Sequence, residues 1–492
     1  MPPVLPALRT RQLGAAPPTT FTGDLLAAPA WSALAPAPVR DASYPGAAPL
    51  NWLALDPAEG RYLLAAGGDG SLVAYDVGRV PASNPDARAP KRARGRGAAR
   101  PPPPPQPLAP LFHARRGGGA GGHTASVSGV CWYPVDAGAF VSAGADGCVK
   151  LWDANGPAVA VSLRLGGGGR SATTAAASGA SPPPRAHCVA MSPCATSHAL
   201  VAVGCGAGGA APYAAAPAAG APLRLADPAG SGAVTHELPG HAGAVWAAAW
   251  SPGCEWTLVS GGADGGIRVW DVRRAAACVR CLDAAAVRKQ KRRPRGGGGG
   301  GAVGAAPGPT AGRSSPAPAA STATTTFSSL AHDGAITGLT PTPDGLHWVS
   351  AGTDGAVRVW ESSEGRDGGP GAPLPWSLEG THNAARRPRQ LSVGGGPAPV
   401  LFHPSGSVVQ VLPLPGGAGR GPGAAGGGGG PATQAALLRG HVSAVHASAW
   451  CEGRRELYTG GDDRAILVWA PSRLAGGGGG RAAAEEEDEW SE

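Results

Sequence analysis

The sequence predicts an all-β protein assembled from repeated antiparallel sheets, and three observations carry that expectation. First, four stretches share one grammar: SVSGVCWYPVDAGAFVSAGADGCVKLWD (126–153), AVWAAAWSPGCEWTLVSGGADGGIRVWD (244–271), AITGLTPTPDGLHWVSAGTDGAVRVWE (335–361) and AVHASAWCEGRRELYTGGDDRAILVWA (444–470). Second, the spacing is fixed. From His123, His241, His332 and His441 to Asp146, Asp264, Asp354 and Asp463 the gaps are 23, 23, 22 and 22 residues, and Trp152, Trp270, Trp360 and Trp469 each follow the Asp by 6. Third, the composition is divided: 81 Gly and 52 Pro make about 27% of 492 residues, yet the hydrophobic share is 42% and 14 of the aromatics are Trp. Packed segments must therefore alternate with unstructured ones.

Each copy reads as an alternating run, a Pro/Gly turn, a second run ending in small residues, an Asp turn and a third run ending in Trp. Period-2 alternation between such turns is an antiparallel meander. Before the first copy, Pro2, Pro3, Pro6, Pro17, Pro18, Pro29, Pro36 and Pro38 confine helix to short pieces, the best being Ala7–Ala16 with Pro6 at its first turn. A fifth copy, NWLALDPAEGRYLLAAGGDGSLVAYD (51–76), keeps Asp69 and ends in Tyr75. Two more are degraded: AHCVAMSPCATSHALVAVGC (186–205) keeps two strands without turn Asp or Trp, and APVLFHPSGSVVQVLPLP (398–415) keeps about as little. Between the copies lie Gly-, Ala- and Pro-rich tracts at 79–122, 164–185, 206–222, 284–326, 364–397, 416–434 and 475–484. Their composition cannot offset the entropy of ordering, so they are expected to be disordered loops.

Composition also excludes function classes. No run of 18 apolar residues is present, so no membrane span is expected, and MPPVLPALRTRQLG lacks the apolar core of a secretory leader. Nine cysteines, an odd number scattered along the chain, read as reduced thiols of a cytosolic or nuclear protein. The net charge of +8 is concentrated: residues 79–100 hold seven Arg/Lys against one Asp, and 284–301 hold six and no acid. Glu485–Glu492 is acidic, so the packed part is close to neutral and offers no broad basic face. Arg288, Lys289, Lys291, Arg292, Arg293 and Arg295 form a run suited to nuclear import, whereas Lys91–Arg100 reads as a solvated loop. Neither run has interleaved aromatics, so direct nucleic-acid binding is not expected.

Ser142, Ser260, Ser350 and Thr459 complete a His, hydroxyl, Asp and Trp set in every full copy. Four equivalent sets cannot all be active sites, and a buried, satisfied network of this kind fixes packing instead. Cys278–Cys281 is a lone C-x-x-C without a second pair to make a metal site. On a strand, alternation would turn its two sulfurs to opposite faces. No phosphate-binding, metalloprotease, hydrolase or dinucleotide motif is found. The sequence therefore reads as a binding protein, not an enzyme, with no cofactor and no metal.

These residues resemble the WD40 repeat: GH, an Asp in the second turn, then WD. The resemblance implies a seven-bladed β-propeller in which Trp, Ser/Thr, His and Asp form a hydrogen-bonded chain within each full blade. Ring closure then requires a strand from the N-terminal side, expected near Leu25–Leu34, beside the last blade. The implied organisation is an N-terminal segment and closing strand (1–49), a propeller (50–472) and an acidic tail (473–492). Blade cores fall near 50–77, 123–156, 186–227, 236–283, 331–365, 398–438 and 441–472.

Within the fourth blade, LVSGGADGGIRVWDVR (258–273) resembles the sixteen-residue DWD box, which marks WD40 proteins that dock on the large DNA-damage-binding adaptor of cullin-RING ubiquitin ligases. Asp264, Trp270, Asp271 and Arg273 are its characteristic positions here. Glu59-Gly-Arg-Tyr62, Cys131-Trp-Tyr-Pro134, Asp344-Gly-Leu-His347 and the tail Glu487-Asp-Glu-Trp-Ser-Glu492 further resemble the Cockayne syndrome group A family, over about 219 residues of blade core. That resemblance implies a substrate receptor that tethers the ligase to repair and transcription proteins at stalled RNA polymerase II, in transcription-coupled nucleotide excision repair in the nucleus. It also implies an N-terminal adaptor contact, which would fall on Leu8, Arg9, Arg11, Gln12 and Leu13. The competing expectations are another nuclear WD40 scaffold, in chromatin or RNA processing, and a cytosolic signalling propeller.

Overall fold

The computed structural model describes residues 34–36, 41–78, 108–118, 121–134, 137–156, 158–166, 183–208, 222–274, 278–283, 330–362, 373–378, 381, 387–395, 399–414 and 436–471. All its regular structure is β, with no helix among the described residues. From the N-terminal side come β1 (Leu34–Pro36) and β2 (Ala42–Ser43), followed by blade one, β3 (Leu50–Leu55), β4 (Tyr62–Gly67), β5 (Leu72–Asp76) and β6 (Pro110–Ala114). Blade two holds β7 (Val127–Trp132), β8 (Ala139–Gly144), β9 (Cys148–Asp153) and β10 (Ala158–Arg164). Blade three holds β11 (Arg185–Met191), β12 (Val201–Gly206), β13 (Leu223–Asp227) and β14 (Ala233–Leu238). Blade four holds β15 (Val245–Trp250), β16 (Thr257–Gly262), β17 (Ile267–Asp271) and β18 (Cys278–Leu282). Blade five holds β19 (Ile336–Pro341), β20 (His347–Gly352), β21 (Val357–Glu361) and β22 (Pro373–Leu378). Blade six holds β23 (Ser392–Gly394), β24 (Val400–Ser405), β25 (Val408–Pro413) and β26 (Ala436–Arg439), and blade seven β27 (Val445–Cys451), β28 (Glu456–Gly461) and β29 (Ala465–Pro471).

The strands of each blade pair antiparallel in sequence order, and the first strands of successive blades pack side by side until β27 meets β3. This is a seven-bladed β-propeller. Its core is not one mass but seven wedges, one between each pair of neighbouring blades. Trp270, for example, packs with Cys188, Ala202 and Leu225 of blade three, while Trp360 packs with Val259 and Ile267 of blade four. Each Trp thus fills the gap toward the preceding blade, which is why a narrow aromatic content dominated by Trp suffices.

The ring closes through the N-terminal side of the chain. Leu34, Ala35 and Pro36 register with Pro471, Ala470 and Trp469, and β2 pairs further along β29. Closure was expected near Leu25–Leu34, but the closing strand starts at Leu34, whose side chain is buried between blades six and seven; residues 25–33 lie outside the described residues.

Three other expectations need correction. The tracts 79–122 and 364–397 were expected to be loops throughout, yet they contain the strands β6, β22 and β23. These are short edge or near-edge strands that need few apolar residues, and β22 carries Pro373 and Pro375, which an outermost strand tolerates because one side of its backbone needs no partner. The run 398–415 supplies the second and third strands of blade six, not the first two, and β14 (Ala233–Leu238) ends blade three where the expected core of blade four begins. The expected core of blade five, 331–365, also stops short of β22.

Candidate functional site

The structure brings together the four polar residues of each complete blade. In blade four Trp270 Nε1 donates to Ser260 Oγ at 2.8 Å, Ser260 Oγ lies 2.8 Å from His241 Nε2, and His241 Nδ1 lies 3.0 Å from Asp264 Oδ1. The same chain links Trp152, Ser142, His123 and Asp146 at 2.7, 2.7 and 2.9 Å. It recurs in Trp360, Ser350, His332 and Asp354 at 2.8, 2.8 and 2.9 Å, and in Trp469, Thr459, His441 and Asp463 at 2.8 Å throughout. One proton assignment satisfies every partner: indole N–H to hydroxyl oxygen, hydroxyl to imidazole Nε2, and Nδ1–H to carboxylate. The hydroxyls are fully buried, so no substrate reaches them.

The Asp also ties its own turn. Asp264 accepts from the Ala242 and Gly266 amides at 2.9 and 3.2 Å, joining the Asp turn to the loop before β15. Burial alone would raise this carboxyl, but the hydrogen bond and charge of His241, with Arg268, hold it well below the usual range. Burial keeps His241 itself below its ordinary value, so the pair is a neutral imidazole on a carboxylate. The residue after the Asp is left-handed in all four blades: Gly147, Gly265 and Gly355 at φ near +73°, but Arg464 at φ 62 in blade seven. Two residues before the Trp, Arg268 and Arg358 reach Asp264 and Asp354 at 3.1 and 2.7 Å, a bond that spacing alone did not reveal.

Blade one has no His, and the structure shows what replaces it. Tyr44 places its hydroxyl 3.2 Å from Asp69 Oδ1 and against Ser71 Oγ, which itself donates to Asp69 at 2.6 Å. Tyr75, standing where the other blades have Trp, donates to the Ser43 carbonyl at 3.0 Å. The gap of 6 between Asp69 and Tyr75 signalled the turn, but nothing in the spacing pointed to Tyr44.

The DWD-like segment is divided by its own strands. Asp264 and Trp270 belong to the buried network, whereas Asp271 and Arg273 follow at the other end of β17. There Arg273 Nε and Nη2 grip Asp271 at 2.9 and 2.8 Å while the Arg273 side chain stays 59% exposed. The Arg273 hydrogen bonds hold the Asp271 carboxyl below its ordinary value. Its guanidinium lies 5.9 Å from the centre of the Trp256 ring, and Trp256 in turn packs against His198 of blade three. Arg273 is thus held in place by a bidentate carboxylate and an aromatic face, and remains open to a partner. Leu8, Arg9, Arg11, Gln12 and Leu13, and the basic run from Arg288 to Arg295, lie outside the described residues.

A central channel of about 460 Å³ is bounded by the first strands, including Leu53, Val130, Val189, Ala247, Leu339 and Ala449. Gln390 reaches across from blade six to blade one, accepting from the Leu53 amide at 2.9 Å and donating to the Leu53 carbonyl at 2.6 Å. Beside it the buried Arg389 donates to the Pro404 carbonyl at 2.8 Å, and burial pushes its guanidinium down to about 10. Both residues fall in a stretch that composition had assigned to a loop.

Comparisons with known proteins agree with this architecture. The family model "WD domain, G-beta repeat" matches residues 120–153, 232–271, 323–361 and 432–470, the four blades with complete networks. The chain is similar to the WD repeat-containing protein ATCSA-1 of Arabidopsis thaliana, with 29% identity over 464 residues, 88% of this chain and 87% of the relative. The chain is a WD40-repeat protein, folded as a seven-bladed propeller and similar over most of its length to that plant protein.

Proposed function

We propose that this chain is the substrate-receptor subunit of a cullin-RING ubiquitin ligase that acts in transcription-coupled nucleotide excision repair. It binds the large DNA-damage-binding adaptor and recruits the ligase to stalled RNA polymerase II complexes in the nucleus. It performs no catalysis itself. The observation that carries the reading is the rim of blade four, where Asp271 and Trp256 present an ordered, exposed Arg273 at the end of the DWD-like segment. An Arg fixed against an aromatic ring loses little freedom on binding and is a frequent interface anchor. The similarity to ATCSA-1 over most of both chains supports the same reading.

The test is affinity purification of the tagged full chain with quantitative mass spectrometry. Adaptor and cullin should co-purify, and Arg273→Ala should lower their recovery at unchanged thermal stability, because this side chain is exposed. Deleting residues 1–30 should lower it as well. Recovery of chromatin or RNA-processing factors without any ligase subunit would overturn the receptor reading in favour of a different nuclear scaffold. Cytoplasmic location after removal of Arg288–Arg295 would support nuclear import through that run.

A further inference from the structure

Alternation along a strand turns residues three apart to opposite faces, yet the sulfurs of Cys278 and Cys281 lie 3.6 Å apart. The register shows why. Arg268 pairs with Cys281 and Val269 with Arg280, but Trp270 pairs with Cys278, so Val279 is an extra residue. This bulge resets the alternation and brings both cysteines to the face that carries Arg268 and Trp270, while Val279 turns outward at 44% exposure. The expectation that the two sulfurs would face apart is therefore corrected. The bulge is a feature of the fold: fourth strands of blades one, two and three skip Leu111, Ala160 and Thr235 at the same place. Only in blade four does the shared face receive two cysteines.

We propose that Cys278 and Cys281 form a redox site, a dithiol that a small disulfide such as oxidised glutathione converts reversibly to an intrachain disulfide. β18 is the outermost strand of its blade, both thiols are partly exposed, and no described strand covers them. Closing the contact to a bond of about 2.05 Å needs a shift of under 2 Å in an edge strand. The hydrogen bond to Cys281, with burial, holds the Cys278 thiol above its ordinary range. Cys278 therefore keeps its proton longer and Cys281 supplies the attacking thiolate. Cys281 sulfur attacks one sulfur of oxidised glutathione, forming a mixed disulfide and expelling one glutathione thiolate. Cys278 then loses its proton to solvent and attacks Cys281 sulfur, expelling the second. Two protein thiols give up two electrons, and one oxidised glutathione becomes two reduced ones. The inference is independent of the partner proposed for the Arg273 rim.

The experiment equilibrates the purified full chain with oxidised glutathione, quenches it in acid, and counts alkylatable thiols after denaturation. Trypsin cuts after Arg274, Arg280 and Arg288, so an intrachain bond would hold peptides 275–280 and 281–288 together until reduction. The expected result is that linked pair, two hydrogens lighter than the sum of its parts, restored to two peptides by dithiothreitol. Cys281→Ser should abolish it. As a check without oxidant, phenylarsine oxide, which bridges adjacent thiols, should protect both cysteines of the reduced protein from alkylation. Failure to form the linked pair, oxidation confined to the exposed Cys194 and Cys254, or mixed disulfides at Cys278 or Cys281 that never close would each overturn the proposal.

Discussion

The hydroxyl of Ser260 is the hub of its blade, and its removal isolates what the hydrogen-bonded chain contributes. Ser260→Ala leaves the backbone and Cβ in place, so no large cavity complicates the result. It strands two fully buried partners at once, Trp270 Nε1 and His241 Nε2, each 2.8 Å from the missing oxygen. A buried polar group left without its partner costs about 1–3 kcal/mol, so the substitution should cost about 2–6 kcal/mol. Trp270→Phe removes the indole N–H and some buried surface, about 1 kcal/mol of the latter at about 25 cal/mol per Å², and leaves the Ser260–His241 bond intact. In the double variant no indole N–H remains to be stranded. The two effects should therefore fall short of additivity by about 1–3 kcal/mol. Urea unfolding of the full chain, followed by far-ultraviolet circular dichroism, measures all four corners of the cycle. A coupling below about 0.5 kcal/mol, the ordinary scatter of independent sites, would mean that the chain is not formed as drawn.

How much of this was legible in the sequence follows from which contacts need fixed spacing. The His–Ser–Asp–Trp chain spans three strands and the turn between two of them, so one inserted residue would break it. The gaps of 22–23 and 6 are therefore rigid and easily read. Fourth strands carry no such constraint. β6 and β22 pair along one edge only, and five or six residues of weak alternation disappear inside tracts of Gly and Pro. Tyr44 was hidden for a different reason: its hydroxyl meets Asp69 from 25 residues upstream, reaching the spot where the other blades place an imidazole. A turn Asp with no His 22 or 23 residues before it was the available signal that some other donor must serve. Gln390 and Arg389 were missed because their role is to satisfy carbonyls of other blades, which leaves no local pattern. The cysteine pair was misread because a bulge shifts the phase of alternation, and bulges are written in register, not in composition.

The placement of β6 sets a limit on what can be cut away. Removing 84–106 should leave the melting temperature nearly unchanged, because loop length enters closure entropy only logarithmically, at about 0.6 kcal/mol per doubling. Removing 84–118 also takes β6 and the buried Ala114, and should unfold blade one; equal melting temperatures for the two deletions would contradict the assignment of β6. At the turn of blade seven, Arg464→Gly should be neutral to slightly stabilising, whereas Gly355→Val in blade five should destabilise by about 1–2 kcal/mol, since φ near 72 suits only Gly. Acid sensitivity supplies the last test. Burial, with Arg185 nearby, pushes His187 down to about 4; burial, with Arg389, pushes His403 down to about 3; burial, with Arg387, pushes His446 down to about 4. Unfolded histidines titrate near 6.5, so between that pH and the folded values the unfolded chain binds more protons. The stability from keeping these rings neutral is thus complete above pH 6.5 and is lost as pH falls, by about 1.4 kcal/mol per unit for each ring. His403 is the cleanest probe, since it is fully buried and neither ring nitrogen has a hydrogen-bond partner among the described residues. His403→Leu should leave stability at pH 7.5 equal or higher and reduce the loss between pH 6.5 and pH 5, read as the shift in urea midpoint. An unchanged pH slope in that variant would show that His403 takes up its proton as readily folded as unfolded, and that the acid loss arises elsewhere.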